Sequence, residues 1–361
     1  MYARWVLPTR TKVAVKWLGP LLLLLLLLRC SAPRQLAEQS DSAGATSTAT
    51  PAIVVPQIVP STQTLPAPEI LGVNYIGVIG RPGQGAGQFL QPVGLALDHR
   101  GILYVADAGN NRVQAVDTDG SFIAEFGNRG WRVGEFDQPT DVAINFHRTE
   151  ILYVVDTGNN RVQYCRLIDQ IFQVLVGSPA DYVAEDVSEA VEIELDAPGG
   201  IGISRNREVY VVDTGNNRLI KFNAQGIPVF AFGSFGSASE QFRHPTDLVV
   251  DPRGNVYIVD SGNNRVKKYD FSGNLSATWG EEQFREPSHI ALDRWNYLYV
   301  TDRGARNVQL FTLDGKALMT FGDETLVEPT GIAISKAGRI FITDFGANNI
   351  KIFEVVYRPN P

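Results

Sequence analysis

One short phrase returns six times along the chain, and that repetition limits the fold more than any other feature. The runs are AGNNRVQAV from Ala108, TGNNRVQ from Thr157, TGNNRLIKF from Thr214 and SGNNRVKKY from Ser261, with looser copies RGARNVQLF from Arg303 and FGANNIKIF from Phe345. Each follows a run of β-branched and aromatic residues that ends in aspartate, at Asp107, Asp156, Asp213, Asp260, Asp302 and Asp344. Upstream of each copy stands a proline, at Pro92, Pro139, Pro198, Pro245, Pro287 and Pro329, spaced by 47, 59, 47, 42 and 42 residues. A period of that length marks a unit that cannot bury its apolar face alone and must stack on its neighbours.

Within one unit the pattern gives four strands. After the proline comes Val93 to Asp98, a turn at Gly101, then Ile102 to Asp107. Ala108 to Asn111 turn the chain into Arg112 to Asp117, and a last strand ends at Phe126-Gly127. Val, Ile, Tyr and Phe fill the strands, while Gly, Asn and Asp fill the turns. Four antiparallel strands repeated radially make an all-β fold, a six-bladed β-propeller of four-stranded antiparallel blades. Blade six lacks a fourth strand of its own. The segment Tyr75 to Gly80 matches the missing strand, so an N-terminal strand is expected to complete the last blade and close the ring.

The phrase from Phe136 through Pro139-Thr140-Asp141 to Asp156 and Asn159-Asn160-Arg161 resembles an NHL repeat, and the resemblance runs from about Val73 to Val356. It implies a six-bladed propeller, and among its relatives it implies binding modules, RNA binders and some enzymes. The peptidyl-hydroxyglycine lyases of this kind hold zinc by three channel histidines. Here His99 and His147 fall in bottom turns, leaving only His244 and His289 on the other face, so that ligand set is incomplete. A calcium-dependent lactonase-like site would have to use Asp141 and Asp247. Cys165 falls mid-strand as a core filler, and no Gly-x-Ser-x-Gly nucleophile motif is present.

The chain has 361 residues, and its first seventy are unlike the repeats. Arg4, Arg10, Lys12 and Lys16 precede the run Leu21 to Leu28. A basic start and a short apolar core make residues 1–30 a signal peptide or membrane anchor. Cys30 follows directly and is a candidate lipidation site resembling that of a bacterial lipoprotein, although Arg29 stands where such signals carry a small residue. Residues 31–70 hold six prolines and no aromatic residue, the composition of an extended tether. Residues 71–361 are the propeller. The expected location is therefore outside the cytosol, in the cell envelope or beyond. A formal net charge of −7 opposes nucleic-acid binding, which needs a basic face.

Strand parity puts the Asp-x-Gly-Asn-Asn-Arg loops and the blade-to-blade connections on one face, the top. A loop repeated around the ring serves the architecture, so deviations carry more information. The connection between blades two and three is about a dozen residues longer than its counterparts. Its acidic run includes Asp181, Glu185 and Asp186, and Val183, Val187, Val191 and Leu195 recur every four residues, as in a short amphipathic helix. Trp131 and Phe235 lie in top connections, with His244 on the same face. These six polar and aromatic residues form the candidate partner surface, for a protein, peptide or carbohydrate. The second residue after each proline enters the central channel: Gly94, Asp141, Gly200, Asp247, His289 and Gly331. Asp141, Asp247 and His289 are thus candidate ligands of a divalent cation at the channel mouth. The expected protein is a monomeric, tethered binding module without a cofactor, with a metal-dependent lyase or lactonase-like enzyme as the alternative.

Overall fold

A computed structural model describes residues 67–145, 150–177 and 193–358. Six four-stranded antiparallel sheets are arranged as the repeats predict. Blade one comprises Pro92–Leu97, Ile102–Asp107, Arg112–Asp117 and Phe122–Phe126. The other first strands, which face the channel, are Pro139–Asn145, Ile201–Ile203, Pro245–Val250, Pro287–Leu292 and Pro329–Ile334.

Strand Ile70–Ile79 pairs antiparallel with Asn349–Tyr357, placing Val73 opposite Val355 and Ile79 opposite Ile350. Blade six is completed from the N-terminal side of the ring, as expected, by a longer strand than Tyr75 to Gly80. Its partner has nine residues where the equivalent strands have five or six, so the ladder extends back to Ile70. Tyr75 packs edge-on against Phe353 at 5.5 Å between ring centroids.

The core is distributed. Among the described residues six apolar clusters form, and each joins two neighbouring blades. The cluster holding Ile79, Phe89, Leu103, Phe341 and Ile350 binds blade six to blade one. Closure therefore rests on side-chain burial as well as on the ladder, and the ring leaves no junction between blades unpacked.

The bottom turns have their own chemistry. Asp98 accepts N–H bonds from Arg100 and Ile102, and Asp251 and Asp293 do the same in their blades. Gly101, at φ +87°, supplies the left-handed residue that such a two-strand turn requires.

The expected helix from Asp181 lies almost wholly outside the described residues, as do the signal or anchor segment, Cys30, His147 and the tether up to residue 66. Ile193 to Leu195 are not helical, and Ile193 and Leu195 pack into the cluster between blades two and three.

Candidate functional site

The repeated top loop is built around a fully buried aspartate. In blade two Asp156 accepts the Asp137 N–H at 2.7 Å, the Asn159 side-chain amide and Arg161 Nε at 2.7 Å. Burial raises its pKa and the three donors oppose that rise. Arg161, itself fully buried, carries the charge onward to the carbonyls of Trp131, Arg132 and Glu135. One loop of the repeat thus fixes the connection that displays Trp131. In four blades the second asparagine adopts φ near +50° and its Oδ1 accepts the N–H before the next blade's proline: Asn111 from Gln138, Asn160 from Ala197, Asn217 from His244 and Asn348 from Gln91. Blade five has Arg306 at this position, with φ +59° and no such acceptor, and its connection onward is short.

The connections give the top face an uneven relief. Those leading into blades one, two and four are long and fold back on themselves through parallel pairings, Pro82 with Phe89, Arg129 with Phe136 and Phe235 with Phe242. Those leading into blades five and six are short. On the raised side Trp131 is 52% exposed and Phe235 63%. Arg132 lies over the Trp131 ring at 5.2 Å and Arg243 over Phe235 at 5.3 Å. His244, next in sequence to Arg243, is exposed as well. The low side carries Glu281, Glu282, Asp323 and Glu324, all exposed. Asp181, Glu185 and Asp186 fall outside the described residues.

Below the loops, Asp141, Asp247 and His289 line a channel cavity of about 250 Å³ whose walls continue through Leu95, Ile201 and Ile332. Asp141 accepts the N–H of Val142 at 2.8 Å and, across the blade boundary, that of Ile201 at 2.9 Å. Asp247 repeats the bridge to Ile290 at 2.9 Å. A Cβ on Gly94 would stand 2.2 Å from Asp141 Oδ1, and one on Gly200 would stand 2.6 Å from Asp247 Oδ1. The neighbouring ring positions are glycine because each bridging carboxyl fills the space a side chain would need.

Burial pushes Asp141 up to about 7, and Asp247 rises well above its ordinary value through burial and then the Asp141 charge. Burial lowers His289 to about 4, so the imidazole is neutral. Its Nδ1 lies 2.9 Å from Ser288 Oγ, while its buried Nε2 has no hydrogen-bond partner. The three predicted residues therefore share one cavity. Among the described residues, however, no three His, Cys, Asp or Glu side chains are grouped to hold a metal ion. Cys165 is buried in the core between blades one and two, its thiol pushed up to about 12 by burial, and it is a packing residue.

The NHL repeat model matches residues 89–120 and 242–269. The chain carries NHL repeats. Protein lin-41 of Caenorhabditis elegans is 44% identical over 57 residues, 16% of this chain and 5% of that protein. Protein brain tumor of Drosophila melanogaster is 37% identical over 65 residues, 18% of this chain and 6% of that one. The chain thus matches only about a twentieth of the length of these curated relatives. Virginiamycin B lyase from Staphylococcus aureus superposes with a TM-score of 0.57 at 12% identity, covering 79% of this chain and 99% of that one. That likeness shows the fold alone.

Both matched stretches of the NHL propeller begin on the position at which the NHL-like phrase also starts, at Phe136, and to which the repeat pattern gave no role. Phe89 and Phe242 stand three before their prolines, and Phe136, Leu195, Phe284 and Leu326 hold the same place in the other units. All six are buried. Each plugs the top of an inter-blade cluster and anchors the connection above it. The signal was present as an apolar residue at a fixed offset from each proline, inside segments that otherwise look like loops.

Proposed function

We propose that this protein is an exported, membrane-tethered NHL propeller that receives a protein, peptide or carbohydrate partner on its top face. The observation that carries this reading is the pair of exposed aromatic rings, Trp131 and Phe235, each overlain by an arginine and each held on a connection anchored from below. Rings presented on a fixed support lose little entropy on binding, which is what makes aromatic residues effective contact points. His244 and the acidic connection containing Asp181, Glu185 and Asp186 complete the proposed surface. The N-terminal segment supplies the tether, with Cys30 as its lipidation site if that segment is processed. The acidic balance argues against nucleic acid as the partner. Immobilised protein is expected to recover a defined set of envelope components, and the double variant Trp131→Ala/Phe235→Ala is expected to lose most of them while keeping the wild-type melting temperature. Recovery of the same set by both proteins would refute the top-face assignment.

A second reading is a metal-dependent lyase or lactonase-like activity at the channel mouth. The partnerless Nε2 of His289 beside two buried carboxyls favours it. A divalent cation there would draw on Asp141, Asp247 and His289 and complete its shell with water, since three ligands are not already grouped. The binding-module reading expects no change in melting temperature with Ca²⁺, Zn²⁺ or EDTA. A rise of several degrees with either ion, reversed by EDTA, would turn the argument toward this second reading.

A further inference from the structure

The chain enters the described body on the bottom face. Ile70 pairs with Tyr357, the Arg358 N–H donates to the Glu69 carbonyl at 2.8 Å, and Tyr297, in a bottom turn, donates to the Pro68 carbonyl at 3.2 Å. Residues 1–66 precede this point, including Leu21 to Leu28 and the proline-rich stretch. A body attached to an apolar anchor by such a stretch is held at high local concentration near a bilayer, with its bottom face carrying the attachment.

That face is not uniformly polar. The outer turns of three consecutive blades end in bare hydrocarbon: Ile168, 89% exposed, and Ile171 in blade two, Ile227 in blade three and Phe271, 73% exposed, in blade four. The equivalent tips in blades one and five are Asp119-Gly120 and Asp314-Gly315. Acidic groups near the apolar tips are turned into their own loops. Asp169 pairs with Arg166 and accepts the Ile171 N–H, while Asp270 accepts those of Ser272 and Asn274. Between blades three and four, exposed Arg205 and Arg253 stand at a cleft of about 250 Å³ that Lys221, Tyr210 and Phe271 also line. Two acids line that cleft: Glu208, paired with Lys221 at 2.8 Å, and Asp251, whose carboxylate accepts the N–H groups of Arg253 and Asn255 in its own turn.

We infer that the bottom face of blades two to four rests on an anionic lipid surface, with the tips at Ile168, Ile171, Ile227 and Phe271 entering the headgroup–acyl boundary and Arg205 and Arg253 meeting lipid phosphates. Separate apolar points flanked by guanidinium groups suit a bilayer, which accepts hydrocarbon at any spacing and offers phosphate between the points. A protein partner would need a matching surface across three blades. The inference rests on the tethered reading for the anchor, and it adds an orientation: the top face is turned away from the membrane.

The test uses the full chain in a Cys30→Ser background, reconstituted into phosphatidylcholine vesicles with or without phosphatidylglycerol. A cysteine introduced at Ser272→Cys, beside Phe271, or at Ser237→Cys, on the top connection of the same blade, is labelled under native conditions, where Cys165 is buried, with a polarity-sensitive fluorophore and quenched by spin-labelled acyl chains. Quenching at position 272 is expected to be at least three-fold that at 237 on phosphatidylglycerol vesicles. It should fall to the level at 237 in Ile168→Ser/Ile227→Ser/Phe271→Ser and in Arg205→Glu/Arg253→Glu. Equal quenching at the two positions, with the chain recovered in the floated vesicles, would overturn the docking and leave the tether intact. A chain that does not float with vesicles would overturn both.

Discussion

At the scale of single residues, the channel mouth shows how a repeat position can be reused. Two of six equivalent positions carry aspartate, and each carboxyl ties its own blade to the next through a backbone N–H. The benefit of those hydrogen bonds is set against burial of charge, so Asp141 binds its proton up to about pH 7 in the fold against an ordinary value near 3.8. The folded state thus holds more protons than the unfolded chain between about pH 4 and pH 7. This contribution to stability is complete below the unfolded value and is lost as pH rises through the folded one, at no more than about 1.4 kcal/mol per pH unit for one proton. His289 works in the opposite direction below its ordinary value of 6.5, because burial depresses it to about 4. Asp141→Asn isolates the carboxyl. Denaturant titrations at pH 5, 6, 7 and 8 are expected to give a flatter pH dependence for the variant than for the wild type; superimposable slopes would mean that Asp141 stays ionised across the range.

At the scale of strands and loops, the seam in blade six is the element on which the ring depends. Without Ile70–Ile79, the strand Asn349–Tyr357 would expose its N–H and C=O groups, an edge that invites pairing with another chain. Alternate N–H groups of a strand face its partner, so adjacent prolines in Val73→Pro/Asn74→Pro must delete one ladder bond whichever way the pleat runs. Val73 also packs against the cluster between blades five and six. The double variant should lose about 2–4 kcal/mol and self-associate in size-exclusion chromatography with light scattering. A monomer of wild-type stability would show that the side-chain cluster around Ile79 and Phe341 closes the ring unaided. The strands themselves were legible because alternation recurs in all six blades and the Asn-Asn turn in four of them. The start of the seam at Ile70 was not, because its length is set by a partner almost three hundred residues away. The parallel pairings that raise the Trp131 and Phe235 connections were hidden for a different reason: they involve one or two residues, too few for any periodicity. The role of Phe89 and its equivalents is legible only when the units are aligned on their prolines, because within any one polar connection a single apolar residue has no periodicity.

At the scale of the whole molecule, the ring is closed twice over, by a ladder and by a cluster, and the two ends of the described propeller meet at the seam. Arg358 and Glu69 join through a backbone hydrogen bond and an ion pair of 2.7 Å. The exposed pair contributes little by itself, but it shows that a few residues would bridge the ends. The ring's cohesion comes from six inter-blade clusters of similar kind, so no blade should be privileged as the place where the chain is interrupted. A permutant that links Arg358 to Ala67 through a short glycine-rich bridge and opens the chain at the Asp314-Gly315 turn moves the seam from blade six into blade five. Its new terminal strand, Ala317–Phe321, would still lie beside Asn307–Phe311, now joined through space as Ile70–Ile79 was before. The expected product is a monomer with native circular dichroism, one cooperative unfolding transition and stability within about 2 kcal/mol of the original order, since bridging adds only a short loop. An oligomer, or two separate transitions, would show that the N-terminal strand must lead the chain into the ring and that the six junctions are not equivalent.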